Sequence, residues 1–309
     1  MTETVAIDER AEAKALSPSI AWPTLLFIAV LWSIHGALLW VGLNGLAPLW
    51  LLVPVLAFVS YSHYTYVHEA IHGNILPRGR INRFIQDCLG WVGSLSLFAN
   101  WPLLSRTHKG HHSHTNTERD PDIFVKLPLP LLVVRILATM VFLILPMALL
   151  KLVIRDRSLA RGYINADTIM TKKEKFGHYL SNWLMVGTVW TLIFTGYARE
   201  VMFFWYIPSV CGYAILSFFL QWIPHYPFDS ADRYMTSRNV GHSWLNPIMM
   251  MQNWHLMHHL WPSVPFYNYQ KLHARLEPVL EAKGARHNDG FLPRHGKVQR
   301  GAPIPVAAE

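Results

Sequence analysis

Apolar residues along this chain come in long blocks rather than in alternation. Four blocks reach the roughly 20 residues a helix needs to cross a bilayer. They cover residues 21–43, 47–67, 179–197 and 201–221. Asn44-Gly45 parts the first two, and Ala198-Arg199-Glu200 parts the second two, so each pair predicts a helical hairpin. A fifth block, 131–154, is interrupted by Arg135 and Pro146. No strand-period alternation, internal repeat or coiled-coil pattern stands out. The expectation is an all-α integral membrane protein: two transmembrane helical hairpins, four spans, and a cytoplasmic helical cap. Residues 1–20 would form a cytoplasmic N-terminal segment, 21–283 a single domain, and 284–309, rich in Gly and Pro, a loosely ordered cytoplasmic tail.

Composition agrees with a membrane protein. Of 309 residues, 52% are apolar and only 15% charged, against about 25% charged in soluble domains. Thirteen Trp, fifteen Phe and twelve Tyr suit interfacial aromatic belts. The first twenty residues mix Glu3, Asp8, Glu9, Arg10, Glu12 and Lys14 and show no cleavage pattern, so the first span is expected to serve as its own insertion signal. Cys88 and Cys211, far apart in apolar surroundings, read as packing residues rather than a disulfide or a metal pair. The net charge of +8 fits basic cytoplasmic loops, or a docking surface for an acidic electron carrier. No compact basic patch stands apart from the membrane segments, which argues against nucleic-acid binding.

The chemistry lies in histidines beside the apolar blocks: His68-Glu-Ala-Ile-His72, His108-Lys-Gly-His111-His112 and His255-Leu-Met-His258-His259. Spacings of three and four stack side chains on one helix face, and imidazole is the commonest metal ligand near neutral pH. Adjacent histidines within a cluster can serve different ions, and three clusters hold more nitrogen than one ion uses. A polynuclear centre at a membrane surface follows. His225, at the end of the fourth block, is a ninth candidate, with Gln221 four residues earlier able to face the same site. Asp120 and Asp122 either orient ligands or form a plain Pro-containing turn, and Asn253 is a further supporting candidate. Ligand type alone leaves iron, copper, zinc and nickel open. His35 is a solitary intramembrane group expected to make an interhelical hydrogen bond, and His63 lies off the His68 face. His114 breaks the cluster spacing. His178, His242, His273, His287 and His295 read as ordinary loop or surface residues.

If the clusters share one centre, an even number of crossings separates His112 from His225. Residues 151–176 hold seven Lys and Arg against three Asp and Glu, the bias of a cytoplasmic segment. Block 131–154 is therefore expected to lie in the interface or re-enter, bent at Pro146, with both termini and all clusters cytoplasmic. His68-Glu69-x-x-His72 is also the zinc-protease pattern, with Glu69 as general base. A zinc protease needs three protein ligands and a water, which leaves the other two clusters without a role.

The three boxes, in this order and placement, resemble the membrane fatty-acid desaturase and hydroxylase superfamily over roughly residues 45–275. The resemblance implies two irons held by His68, His72, His108, His111, His112, His225, His255, His258 and His259. It implies O2 as co-substrate and two electrons, used to attack unactivated C–H bonds of a hydrophobic, lipid-soluble substrate. Gln221 stands where family members often carry an Asn. His225-Tyr-Pro-Phe-Asp229, Gln252-Asn-Trp-His-Leu-Met-His-His259, Leu260-Trp-Pro-Ser-Val-Pro265 and Asp120-Pro-Asp-Ile-Phe124 are similar to the bacterial and cyanobacterial-type β-carotene hydroxylases. Those relatives imply 3-hydroxylation of β-ionone rings, with Trp222, Tyr226, Trp254 and Trp261 able to line a path for a flat polyene. Fatty acyl desaturation is the alternative within the family. No cytochrome b5-like His-Pro-Gly-Gly motif occurs, so a separate donor such as ferredoxin with its reductase is expected. The expected location is a bacterial inner membrane.

Overall fold

A computed structural model describes residues 7–122, 126–143, 161–285 and 290–291. All regular secondary structure among the described residues is helical, with no strand. A short helix α1 (Glu9–Ala15) precedes two long ones, α2 (Trp22–Leu43) and α3 (Leu49–His72). Next come α4 (Arg80–Leu95), α5 (Trp101–His114), α6 (Leu129–Leu143), α7 (Arg161–Ile169) and α8 (Lys172–Leu192). Helix continues through π-type turns into α9 (Ile207–Leu216) and on to His225; α10 (His255–Leu260) and α11 (Tyr269–Ala282) follow.

Local signals set these boundaries. Gly73 takes the left-handed conformation (φ 76°) that closes α3, a position where a side chain would strain the backbone. Thr171 and Glu174 form a reciprocal capping box at the start of α8. Asn100 caps α5 and Pro102 occupies its first turn.

Two helical runs are long and apolar enough to cross a bilayer: Trp22–Leu43 and Lys172–His225. The second is a hairpin. It reverses at Gly196 (φ 100°), and Met185 and Val189 on one arm pack with Val201 on the other. The sequence placed this link at Ala198-Arg199-Glu200, but those residues are helical; the reversal falls where glycine alone tolerates the backbone. Helix α3 is less apolar because it buries Ser60, Ser62, His63 and Thr65. It packs against α9, where a Cβ added to Gly212 would lie 2.9 Å from Ala57 O and 3.0 Å from Tyr61 N. No side chain fits between those backbones, so glycine sets the closeness of the two helices.

Helices α4 and α5 form an arrangement the hydropathy blocks did not predict. Arg83 donates to Ile71 O near the end of α3, whereas Ser209 Oγ donates to Ser96 O deep in the bundle. Helix α4 thus runs down beside α3, its connection to α5 inserts Leu97 and Phe98 among the long helices, and α5 climbs back. Its Ile81, Phe84 and Val92 stay exposed, giving it one apolar outer face.

Block 131–154 is seen in part. Leu132 and Ile136 of α6 enter the core beside Tyr61 and Leu220. Helix α7 then lies on α5, with Arg106 donating to Ile169 O. Both flanks of the block therefore sit at the histidine end of the bundle. Residues 144–160, with Pro146 and the basic residues from Lys151 to Arg157, lie outside the described residues, as do His287, His295 and most of the tail. Where the tail is described, Gly290 O and Phe291 O accept from the Arg238 guanidinium. The two cysteines are free as expected, but exposed on helix surfaces rather than packed.

Candidate dimetal centre

Four elements end at one place. Helix α3 delivers His68 and His72 in its last two turns, α5 delivers His108, His111 and His112, the helix end at Ile223–His225 delivers His225, and α10 delivers His255, His258 and His259. Six are buried and His72, His112 and His259 are half-buried, and all nine turn Nε2 toward a common interior.

The nine rings sort into two adjoining groups. His68, His72, His108, His112 and His258 bring ligand atoms within 4.8 Å of one another, and so do His111, His225 and His259. His255 joins the second group, its Nε2 3.0 Å from that of His225 and 3.2 Å from that of His259. Sequence neighbours part company: His111 and His112 face different groups, as do His258 and His259. Successive residues on a helix point about 100° apart, so each His-His pair straddles the seam, and His112 and His259 rings meet across it at 4.6 Å.

Proton accounting tests whether this array suits metal ions. A neutral imidazole has one ring proton. His111 Nδ1–H donates to the Asp120 carboxylate at 2.9 Å, which leaves its Nε2 lone pair inward; Tyr269 Oη, 2.9 Å from His258 Nδ1, offers an acceptor for Nδ1–H that lets His258 Nε2 do the same. His111 Nε2 faces His225 Nε2 at 3.3 Å, and His258 Nε2 faces those of His112 at 2.7 Å and His68 at 3.0 Å. His112 approaches two acceptors, His108 and His258, with at most one proton to offer. Converging lone pairs repel unless a cation lies among them. The donor set fits two bound metal ions.

Electrostatics point the same way. Burial, reinforced by neighbouring histidines, holds His108, His112, His255, His258 and His259 well below the ordinary imidazole range, so these rings are neutral and ready to ligate at neutral pH. His111 differs. Burial lowers it, but the Asp120 carboxylate outweighs burial and raises it. Asp122 is pushed up to about 6, chiefly by burial and against the pull of His111.

The supporting candidates fare unevenly. Asp120 is fully buried; its oxygens also accept the N–H groups of Asn116 and Asp122. Gln221 and Asp122 line a small cavity of about 20 Å³ walled by His68, His108, His111, His225 and His255 with Tyr64, Leu220 and Gln252. That is room for one water-sized molecule. Gln221 Oε1 is buried there without a partner. Asn253 turns away: its amide donates to Val240 O and touches no histidine. Its neighbour Gln252 takes the place instead, 3.4 Å from His68 Nδ1. Within a one-turn element the two swap faces, which spacing alone does not reveal. Tyr269, fourteen residues beyond His255, carried no sequence signal either. Glu69 is spent on the fold, accepting the Phe266 N–H.

Other histidines depart from expectation. His178 and His273 are buried rather than on the surface. Of the four aromatics proposed to line a path, Trp222 and Tyr226 stack at 4.9 Å beside His225. Trp254 packs on His273 and Trp261 on Arg233, both away from the small cavity.

The fatty acid desaturase family model matches residues 44–291, the span that contributes every one of the nine histidines. The chain belongs to the fatty acid desaturase family. Membership makes it an oxidoreductase of a membrane-associated family, of desaturase or hydroxylase type. No curated protein matches the chain.

Proposed function

We propose that this chain is an O2-dependent di-iron oxidoreductase of the membrane, held by the nine histidines and acting on a C–H bond of a lipid-soluble substrate. The observation that carries this reading is the pairing of a five-ring and a four-ring Nε2 group across one seam. Two irons so held would supply oxygen activation with electrons from a separate protein donor. The chain's own residues do the rest. Asp120 and Tyr269 fix the tautomers of His111 and His258 and with them the direction of each Nε2 lone pair. Tyr64, Leu220 and the rings around the small cavity exclude bulk water, and Gln221 and Gln252 offer the polar atoms that can position a small molecule there.

The membrane arrangement we infer has four spans: α2, α3, α8 with its extension to Gly196, and the run from Ala198 to His225. All four histidine-bearing ends then lie on one side. Helix α1 lies on that side too, since Glu9 accepts from Tyr234 and Glu12 pairs with Arg275 of α11. Arg78, Arg80, Arg83, Arg106, Lys109, Lys172, Lys173 and Lys175 crowd that end, while the opposite turns hold Arg199 beside Glu200. Such a bias marks the cytoplasmic face, and a bacterial inner membrane is the location we propose.

For the substrate we favour β-carotene, hydroxylated at the 3-position of its rings. The support is the set of local runs shared with β-carotene hydroxylases and the ring stack Phe218–Trp222–Tyr226, which leads to His225 and suits a flat polyene. Fatty acyl desaturation is the second reading, favoured by the family match itself. Expression in a β-carotene-accumulating bacterium, with pigments and fatty acids profiled from the same cells, separates them. Zeaxanthin with unchanged lipids supports the first reading; new unsaturated acyl chains with untouched pigment support the second. Metal analysis tests the centre, with two irons per chain expected and one zinc refuting it.

A further inference from the structure

A second cavity, of about 640 Å³, lies at the end of the bundle away from the histidine clusters. It opens between the two hairpins beside their turns, with Leu39 and Leu43 on one side and Phe204 and Trp205 on the other. Its wall is almost wholly apolar. His35, 7% exposed, is the buried ionisable group that reaches it. The ring lies parallel to that of Trp32, centroids 5.4 Å apart.

His35 ends a hydrogen-bonded chain buried between α2 and α3. Trp32 Nε1 lies 3.0 Å from Tyr66 Oη, His63 Nδ1 lies 3.2 Å from the same oxygen, and His63 Nε2 lies 2.9 Å from His35 Nδ1. The direction of the chain follows from its donors. An indole N–H can only donate, so the Tyr66 oxygen accepts from Trp32. The buried phenol proton needs an acceptor in turn, and among the described groups His63 Nδ1 is the one in reach, so His63 donates from Nε2 and His35 accepts at Nδ1. The His35 proton is therefore on Nε2, where no described protein group accepts it. The half-buried indoles of the wall are spent, Trp32 on Tyr66 and Trp205 on Leu95 O, as is the buried Ser96 hydroxyl on Gly93 O. A donor set in so apolar a wall calls for an acceptor from whatever occupies the cavity.

We propose that this cavity binds an uncharged, flat, lipid-soluble molecule through a ring carbonyl oxygen that accepts from His35 Nε2–H, the chemistry of a membrane quinone. One buried donor in an apolar wall selects an acceptor oxygen and rejects a charged head group. Trp32, Phe204 and Trp205 supply ring surfaces that favour a flat ring over an acyl chain. The volume lies within the range of small-molecule sites. At the mouth, Glu200 is paired with Arg199 at 3.7 Å.

The test is equilibrium binding of a decyl-substituted benzoquinone to the full chain in phosphatidylcholine nanodiscs. One saturable site per chain is expected, weakened about tenfold in His35→Phe through loss of one hydrogen bond. His35→Gln, which keeps a donor, should bind within a few-fold of the parent, and Leu39→Trp, which fills the cavity, should abolish binding. Metal content matching the parent verifies that the variants are folded. Dioleoylglycerol, with ester carbonyls but no ring, should not compete. Absence of a saturable site, unchanged affinity in His35→Phe, or equal competition by dioleoylglycerol would each overturn the proposal. If His35→Phe does not accumulate, Leu39→Trp decides alone, because it touches no hydrogen bond of the chain.

Discussion

Replacing Asp120 by Asn is the sharpest test of how the proposed di-iron centre is built. The carboxylate is fully buried, and three groups donate to it: His111 Nδ1–H at 2.9 and 3.1 Å, Asn116 N–H at 3.1 Å and Asp122 N–H at 2.8 Å. Asn preserves the shape but offers one acceptor oxygen. With that oxygen toward His111 and Asp122, its NH2 confronts the Asn116 N–H. One charge-assisted bond is lost, costing about 1.5–3 kcal/mol, and His111 loses the anion that polarises it. Removal of such a partner lowers metal affinity about 10–100-fold, or about 1.4–2.8 kcal/mol. The assay is iron retained per chain under graded chelator, for the parent and the variant, across pH. Asp120 raises His111, so a proton competes with metal for Nε2, and parent affinity falls as pH drops through the range where His111 protonates. In Asp120→Asn the competition moves to lower pH; affinity near neutrality is lower but varies less with pH. In the metal-free protein the sign reverses: a raised histidine stabilises the fold below its ordinary value, and that contribution is lost as pH rises through the raised one. Parent-like iron retention with an unchanged pH profile would refute the assigned role of Asp120.

Further outcomes are expected. Tyr269→Phe strands the buried His258 Nδ1–H, costing about 1–3 kcal/mol, and should lower iron retention from the five-ring group without unfolding the chain, as read by metal analysis and thermal melting. Gly212→Ala drives a methyl against Ala57 O and Tyr61 N at 2.9–3.0 Å; an overpacking cost of about 1–3 kcal/mol should lower the melting temperature in detergent by several degrees, and an unchanged melt would show that the helices yield freely. Gln221→Leu removes a polar atom from the small cavity but no histidine contact, so turnover should fall at least several-fold with iron content intact; loss of iron instead would make Gln221 structural.

The histidine boxes were legible because helical periodicity is local: spacings of three and four place imidazoles on one face wherever the helix goes. The apolar blocks announced helices for the same reason, and 21–43 matches α2 almost residue for residue. Hydropathy did not reveal that α4 and α5 dip among the long helices, since α4 is amphipathic and α5 is polar. Nor did it place the second hairpin's turn, which follows the backbone freedom of Gly196 rather than the charges beside it.

By itself, then, the sequence determined the nine histidines, their helical carriers and the crowding of positive charge at one end. Only the tertiary structure decided how the rings divide, because that depends on the rotation of α5 and α10 about their own axes. It chose Gln252 over Asn253 and paired Tyr269 with His258, contacts made across more than ten residues of chain. It also supplied the partner for the interhelical hydrogen bond expected of His35: His63, twenty-eight residues away on the neighbouring helix. Periodicity records which way a side chain leaves its own helix; what it meets there is settled by packing between helices.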